Sequence, residues 1–515
     1  MFKTITAQFG RARTLLLNGV LIAGLLGVFV WFTQPKKPRV WSVGELPVAF
    51  WAWQNDAPNQ SDVRRAIDSL NAGALFIRAG QIDLERSKLR RIREVQGKLP
   101  RGIDLHLVYN ATRSMLAEFE NLKMDDLAEV LANTFQDDCQ RARRDGALVV
   151  GLQLDFDVPT RLLPRYTKLI KSLREKLKSN AQVSITGLPT WMSSADLLKT
   201  LNEVSFWIPQ FYGATIPERL DLITPIVSPD LTGDFVEKAR KLKRPYYAGL
   251  AAYGYAIHYS RQGRLIEVRG DLPPALVAND ARFELVERRT FDADNKSSAW
   301  RYVYRARTDA VIDGLMMRAG ESLMLDVPGV ELLKECARMV RERGGENLLG
   351  LCIFRLPGAD DTTNLSLLEV KSALQEETTL PKAQIVGEWN EQEQTLTLKI
   401  SNSGMVSTPL GDEAMRIDLP VPEGSIKELN TDQPLRCESL FSEANQVRPC
   451  AERRANLLRL TANCFPAYGK AQATIKFASA LPDKLQATIS LKTTSQTELR
   501  ETQIISISKQ EGRGE

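Results

Sequence analysis

Eight short apolar runs, most of them followed by a segment of helical character, constrain this 515-residue chain more than any other feature. They read "LPVAFWAW", "GALFIRAG", "DLHLVYNAT", "ALVVGLQLDFD", "QVSITGLPTW", "VSFWIPQFYG", "RPYYAGLAAYG" and "LLGLCIFRLPG". Between them lie stretches such as "QSDVRRAIDSL" and "LLPRYTKLIKSLREKLKS", whose apolar residues recur at helical spacing. Strands alternating with helices make an α/β protein. Eight of them predict a (β/α)8 TIM-type barrel, because doubly wound sheets usually stop at about five to seven strands.

Two departures from the alternation define further parts. After the seventh run, residues of about 259–326 carry strand-like stretches and turn signals, which predicts an insertion on one face of the barrel. From residue 379 to 515 short strands such as "QTLTLKISNSG", "LLRLTANC" and "LQATISLKTT" follow one another with turns between, the pattern of an all-β, Ig-like sandwich. The barrel is thereby assigned to 40–378. Within the sandwich, "KISNSG", with Asn402 and Gly404, reads as a structural turn.

Residues 1–39 read differently. "MFKTITAQFGRAR" is basic and acid-free, and "TLLLNGVLIAGLLGVFVWF" then supplies about 19 uncharged residues, enough to span a bilayer. No small-x-small cleavage pattern and no lipid-accepting cysteine follow. The expectation is a short cytoplasmic tail, a single uncleaved transmembrane anchor and a bulk that is exported.

With 68 basic and 63 acidic residues the formal charge is only +5. Basic runs such as "LRRIR" and "RARR" fall on helix faces without interleaved aromatics, so no nucleic-acid partner is expected. Among six cysteines, Cys437, Cys450 and Cys464 cluster late in the chain, where one disulfide would be unsurprising; Cys139, Cys336 and Cys352 read as core. With two histidines and no CxxC pair, no metal site and no cofactor are expected.

Asp155 and Asp157 close the fourth run, two positions apart. Residues at i and i+2 on a strand share a face, and the strand ends of such a barrel form its active site. Two neighbouring carboxylates raise each other's cost of ionising, which produces a proton donor beside a carboxylate. The structural alternative is that one aspartate caps the next helix or pairs with Arg161.

From these residues a resemblance emerges. "VVGLQLDFDVP" resembles the fourth-strand motif DGxDxDxE of the family 18 glycoside hydrolases, the chitinase-like barrels. Gly151 matches its glycine and Asp155 its third aspartate; Asp157 stands at the general-acid glutamate, one methylene shorter. Val150 and Gln153 replace the first two aspartates. "WIPQFYG" is similar to the sixth-strand MxYD, with Gln210 for the methionine, Tyr212 for the tyrosine and Gly213 for the aspartate. "YYAGLAAYG" resembles GLPxYG, and Phe354 takes the place of the tryptophan floor on the last strand. More closely, the segment from about Pro47 to Glu376 resembles the bacterial family described as domain of unknown function 3142, on its Trp-rich first strand, "GLQLDFDVPT", "SITGLPTWM", "WIPQFYG" and "AGLAAYG".

The resemblance implies a glycoside hydrolase acting on an amino-sugar-containing envelope or exopolysaccharide by substrate-assisted, retaining hydrolysis. In such chemistry the sugar's 2-acetamido group is the nucleophile. Asp157 would then be the general acid, Asp155 would orient the acetamido group and Tyr212 would hydrogen-bond it. A second protein carboxylate, if required, would be Asp56. For substrate binding the candidates are Gln153, Gln210, Trp53, Trp191, Tyr109, Tyr253, Phe354, Arg78 and Arg355. Their aromatic faces suit sugar rings, and the arginines suit either an anionic sugar or ion pairs with the aspartates. The resemblance to a bacterial family implies a single-pass inner-membrane anchor with the bulk in the periplasm or otherwise exported. The alternative on the same barrel is a catalytically inactive carbohydrate-binding or envelope-assembly protein, kept open by aspartate in place of glutamate.

Overall fold

A computed structural model describes residues 40–510 apart from 178–179, 214–215, 223–224, 291–298, 328, 359–362, 379, 445, 480, 482–483 and 494–496. The expected anchor within 1–39 lies outside the described residues. Among the described residues no helix is long and apolar enough to cross a membrane.

All eight apolar runs form strands: β1 (Val48–Ala52), β2 (Ala72–Glu85), β3 (Asp104–Ala111), β4 (Leu148–Asp155), β5 (Gln182–Gly187), β6 (Phe206–Pro209), β7 (Tyr246–Ala251) and β8 (Leu348–Phe354). Each pairs in parallel with its sequence neighbour, and β1 pairs with both β2 and β8, so the sheet closes. Helices follow seven of the strands: Gln60–Leu70, Met124–Asp145, Leu163–Lys176, Ala195–Leu201, Pro229–Lys241, Val330–Arg343 and Leu367–Gln375. The exception is β2, which runs on for 14 residues and folds back against the antiparallel strand Lys88–Ile92.

Side chains fill the barrel in layers, as the alternation of strand faces requires. Phe76, His106, Phe206 and Tyr247 meet ring to ring at the N-terminal end, with Phe76 stacked on His106 at 4.5 Å. Burial without a charged partner lowers the His106 pKa to about 4, so this ring is a neutral filler. Above it, Trp51 Nε1 donates to Gln153 Oε1 at 2.7 Å. Gly151 is required here, because a Cβ would stand 2.5 Å from the Gln182 carbonyl oxygen and 2.8 Å from His106 Nδ1. The opposite face of β4 presents Leu152, Leu154 and then Phe156, all fully buried, to the helix layer, where Phe156 stacks on Tyr166.

The insertion begins at Tyr255, slightly earlier than the turn signals suggest. Its five-stranded antiparallel sheet has the order Leu265–Arg269, Tyr255–Tyr259, Ser322–Asp326, Ala299–Ala306, Phe283–Thr290. From this sheet, Asp326 Oδ2 accepts from Ile226 N at 3.0 Å and Arg301 donates to the Leu222 and Leu220 carbonyls. The loop after β6 is thereby tied to the insertion.

Strands from Ala383–Asn390 to Glu498–Gln510 build the C-terminal part around a second apolar core. The last strand joins its two halves, pairing antiparallel with Lys484–Lys492 and then parallel with Ala383–Asn390. Asn402 proves structural: its amide nitrogen donates to the carbonyls of Val406, Phe465 and Pro466, and its oxygen accepts from Lys382 N and Gly404 N. The disulfide expected among Cys437, Cys450 and Cys464 is not formed; all three are free thiols.

Candidate active site

β4 delivers Asp155 at its last position, facing inward like Gln153 two residues before it. Thr186, at the corresponding level of β5, donates to Asp155 Oδ1 at 2.7 Å. Burial first, and then the charge of Asp157, raise the Asp155 pKa well above the ordinary carboxylate range, against the smaller opposing effects of Thr186 and Arg78. Asp157 emerges beyond the strand end, with its side chain open to solvent. The protein wall around it nevertheless strips part of its hydration and raises its pKa too.

Neither aspartate is closed off. Arg161 is engaged by Glu120 at 2.6 Å, and the helix Leu163–Lys176 has no side-chain cap. Among the described residues, Asp157 has no hydrogen-bond or ion-pair partner. The pair is therefore not explained as a cap or a structural ion pair, and a carboxylate with a raised pKa at an open strand end is suited to proton transfer.

Four aromatic rings meet at the same mouth. Phe354, ending β8, lies 5.9 Å from Trp53, 5.0 Å from Tyr253 and 6.0 Å from Tyr212 between ring centroids, and Tyr212 is edge-on to Tyr253 at 5.9 Å. Both aspartates contribute to raising the Tyr212 pKa, after burial and the neighbouring Tyr253 and Cys352. The phenol is thus neutral and stands within their field. No protein group among the described residues hydrogen-bonds the Tyr212 or Tyr253 hydroxyl or the Gln210 side chain, which leaves them available to a ligand.

Other candidates are placed elsewhere. Trp191 is 1% exposed, donates from Nε1 to the Val158 carbonyl and packs on Tyr166; it supports the turn behind Asp157 and is no platform. Tyr109 sits on the outward face of β3, its hydroxyl bonded to Asp138, which in turn pairs with Arg91. Strand parity puts it in the helix layer. Gln153 is fully buried between Trp51 and Ser184, two residues before Asp155 on the same strand. Arg355 turns to Thr363 at 3.3 Å. Asp56 lies on the rim, in a bridge to Gln96.

Arg78 stays at the mouth. It is 9% exposed and lies over the Trp53 ring, 5.5 Å from the centroid, donating to Asn110 Oδ1 and Asn55 Oδ1. The expected ion pair with an aspartate does not form, although Asp155 is near enough for its charge to act on Arg78. Thr186, Asn110 and Asn55 escaped the sequence reading. Thr186 and Asn110 are polar residues one position before the ends of their strands, next to the mouth. A cavity of about 660 Å³ lies elsewhere, between the loop after β8, the insertion and the sandwich; the dyad geometry, and not that cavity, locates the site.

Among solved structures, a chitinase from Chromobacterium violaceum is similar at 16% identity, covering 64% of this chain and 99% of that one with a TM-score of 0.42. The Bacillus cereus spore cortex-lytic enzyme SleL is similar at 15% identity, 67% and 76% coverage and a TM-score of 0.41. No curated protein matches the sequence. Residues 120–359, the stretch that carries β4 to β8, both aspartates, Tyr212, Tyr253 and Phe354, match the family model described as Domain of unknown function (DUF3142).

Proposed function

We propose that this protein is a glycoside hydrolase acting on an amino-sugar-containing glycan by substrate-assisted, retaining hydrolysis. The observation that carries the reading is Asp157, unpaired and open at the barrel mouth, directly beside the half-buried, Thr186-held Asp155. In this mechanism Asp157 protonates the leaving oxygen while the acetamido carbonyl oxygen of the substrate attacks the anomeric carbon. Asp155 orients the acetamido N–H and stabilises the positive charge that develops on the ring formed. The Tyr212 hydroxyl donates to the acetamido oxygen. Water then opens the intermediate, with Asp157 taking its proton as general base. Phe354, Trp53 and Tyr253 give the sugar an aromatic floor.

The test is release of reducing ends from N-acetylated amino-sugar polymers. Asp157→Asn is expected to lower turnover by about 100-fold or more; polymer binding without turnover, unchanged by the substitution, would instead indicate the inactive binding protein. We assign the protein to the inner membrane with its bulk in the periplasm, on the charge-free run near the N-terminus. Fractionation of cells expressing the full chain tests this: recovery in the soluble cytoplasmic fraction would refute it.

A further inference from the structure

The mouth holds a cation that the hydrolytic scheme does not use. Arg78 rises from β2 into the space beside Asp155, more than nine-tenths buried, yet no carboxylate among the described residues pairs with it. Its two protein hydrogen bonds, to Asn110 Oδ1 at 3.3 Å and Asn55 Oδ1 at 3.4 Å, are long and go to neutral amides. A guanidinium has five donors, and burying it without an anionic partner is costly.

The neighbouring hairpin sharpens the contrast. Arg90 pairs with Glu85 at 2.7 Å and Arg91 with Asp138 at 3.0 Å. Arg93, next along, has no acid partner among the described residues, and it lies close enough for its charge to act on Arg78. Arg78 thus stands without an ion-pair partner, held over Trp53 by flanking asparagines at the edge of a proposed sugar subsite, while Arg93 is exposed to solvent. Such an arrangement fits a carboxylate, which a guanidinium grips through two parallel hydrogen bonds.

The geometry points to an anionic-sugar subsite: Arg78, steadied by Asn55, Asn110 and Trp53 and backed by Arg93, binds a carboxylate carried by a sugar ring of the glycan next to the Asp155–Asp157 pair. This rests on the reading of the mouth as a glycan site and narrows the substrate to acidic glycans. Two carboxylate sources fit: a hexuronic acid alternating with the amino sugar, or the lactyl ether of a muramic acid freed of its peptide.

Calorimetric titration of the full chain separates these possibilities. The probes are a uronic acid/N-acetylhexosamine tetrasaccharide, a peptide-free N-acetylglucosamine/N-acetylmuramic acid tetrasaccharide, and the neutral N-acetylglucosamine tetrasaccharide. At least one acidic probe is expected to bind about tenfold or more tightly than the neutral one, and the better one names the source. Arg78→Gln is expected to remove that preference while neutral binding persists, and Arg78→Lys to restore only part of it. Melting curves establish that each variant is folded. Equal binding of acidic and neutral probes, binding of none, or a preference that survives in folded Arg78→Gln would overturn the inference. Because binding and not turnover is read, an inactive protein that keeps the Arg78-dependent preference refutes hydrolysis alone, and an active one without the preference refutes the subsite alone.

Discussion

Asp155 holds its proton more tightly in the folded chain than an unfolded chain would, because burial and Asp157 both oppose its ionisation. Below the ordinary carboxylate pKa both states are protonated and the residue costs nothing. As pH rises from there to the raised folded value, the unfolded chain ionises first and stability falls. Asp155→Asn, which keeps an acceptor for Thr186, should therefore raise the melting temperature near pH 7 by about 2–4 °C and bring no gain near pH 4. Thermal scans at the two pH values check this; an equal effect at both would mean that ionisation is not what the site costs. The same raised values place the basic limb of the kcat/KM profile above the ordinary carboxylate range, because activity needs one proton on the pair. A limb within that range would exclude Asp157 as the acid.

At the scale of the strand, the alternation of faces sorts the site. Gly151, Gln153 and Asp155 share the inward face of β4, and the close approach at Gly151 lets that strand sit against His106 and the Gln182 carbonyl. Gly151→Ala should cost about 1–3 kcal/mol through overpacking, measured by denaturant unfolding; an unchanged midpoint would show that the interior can yield there. The eight strands, the insertion and the position of the aspartates at a strand end were legible because each is a matter of period, length and order. Tyr109 and Trp191 were misplaced for a different reason. An aromatic near a strand end faces the mouth or the helix layer according to a parity of one residue, and beyond the strand, according to turns that the sequence does not display. Thr186 and Asn110 carried a legible signal as polar residues one position before strand ends, whereas the pairing of Arg161 with Glu120 instead of Asp157 depends on a contact 41 residues away.

Across the described chain, barrel, insertion and sandwich are joined by buried polar contacts. Asn279, at the end of the insertion helix Pro274–Asn279, accepts from Asn463 N and Cys464 N and donates to the Ala275 and Cys464 carbonyls. Glu369, capping the helix Leu367–Gln375 after the last barrel strand, accepts from Ser407 N. Asn279→Ala leaves several of these groups unsatisfied, at about 1–3 kcal/mol each, and should lower the first calorimetric unfolding transition; an unchanged scan would mean that this contact does not hold the sandwich in place. The hydrolytic account itself is tested most directly by following the first-formed anomer with proton NMR as the protein cleaves an N-acetylated amino-sugar oligosaccharide. It predicts a product that initially retains the configuration of the cleaved bond, and none from Asp157→Asn. Initial inversion, or equal cleavage by the variant, would contradict it.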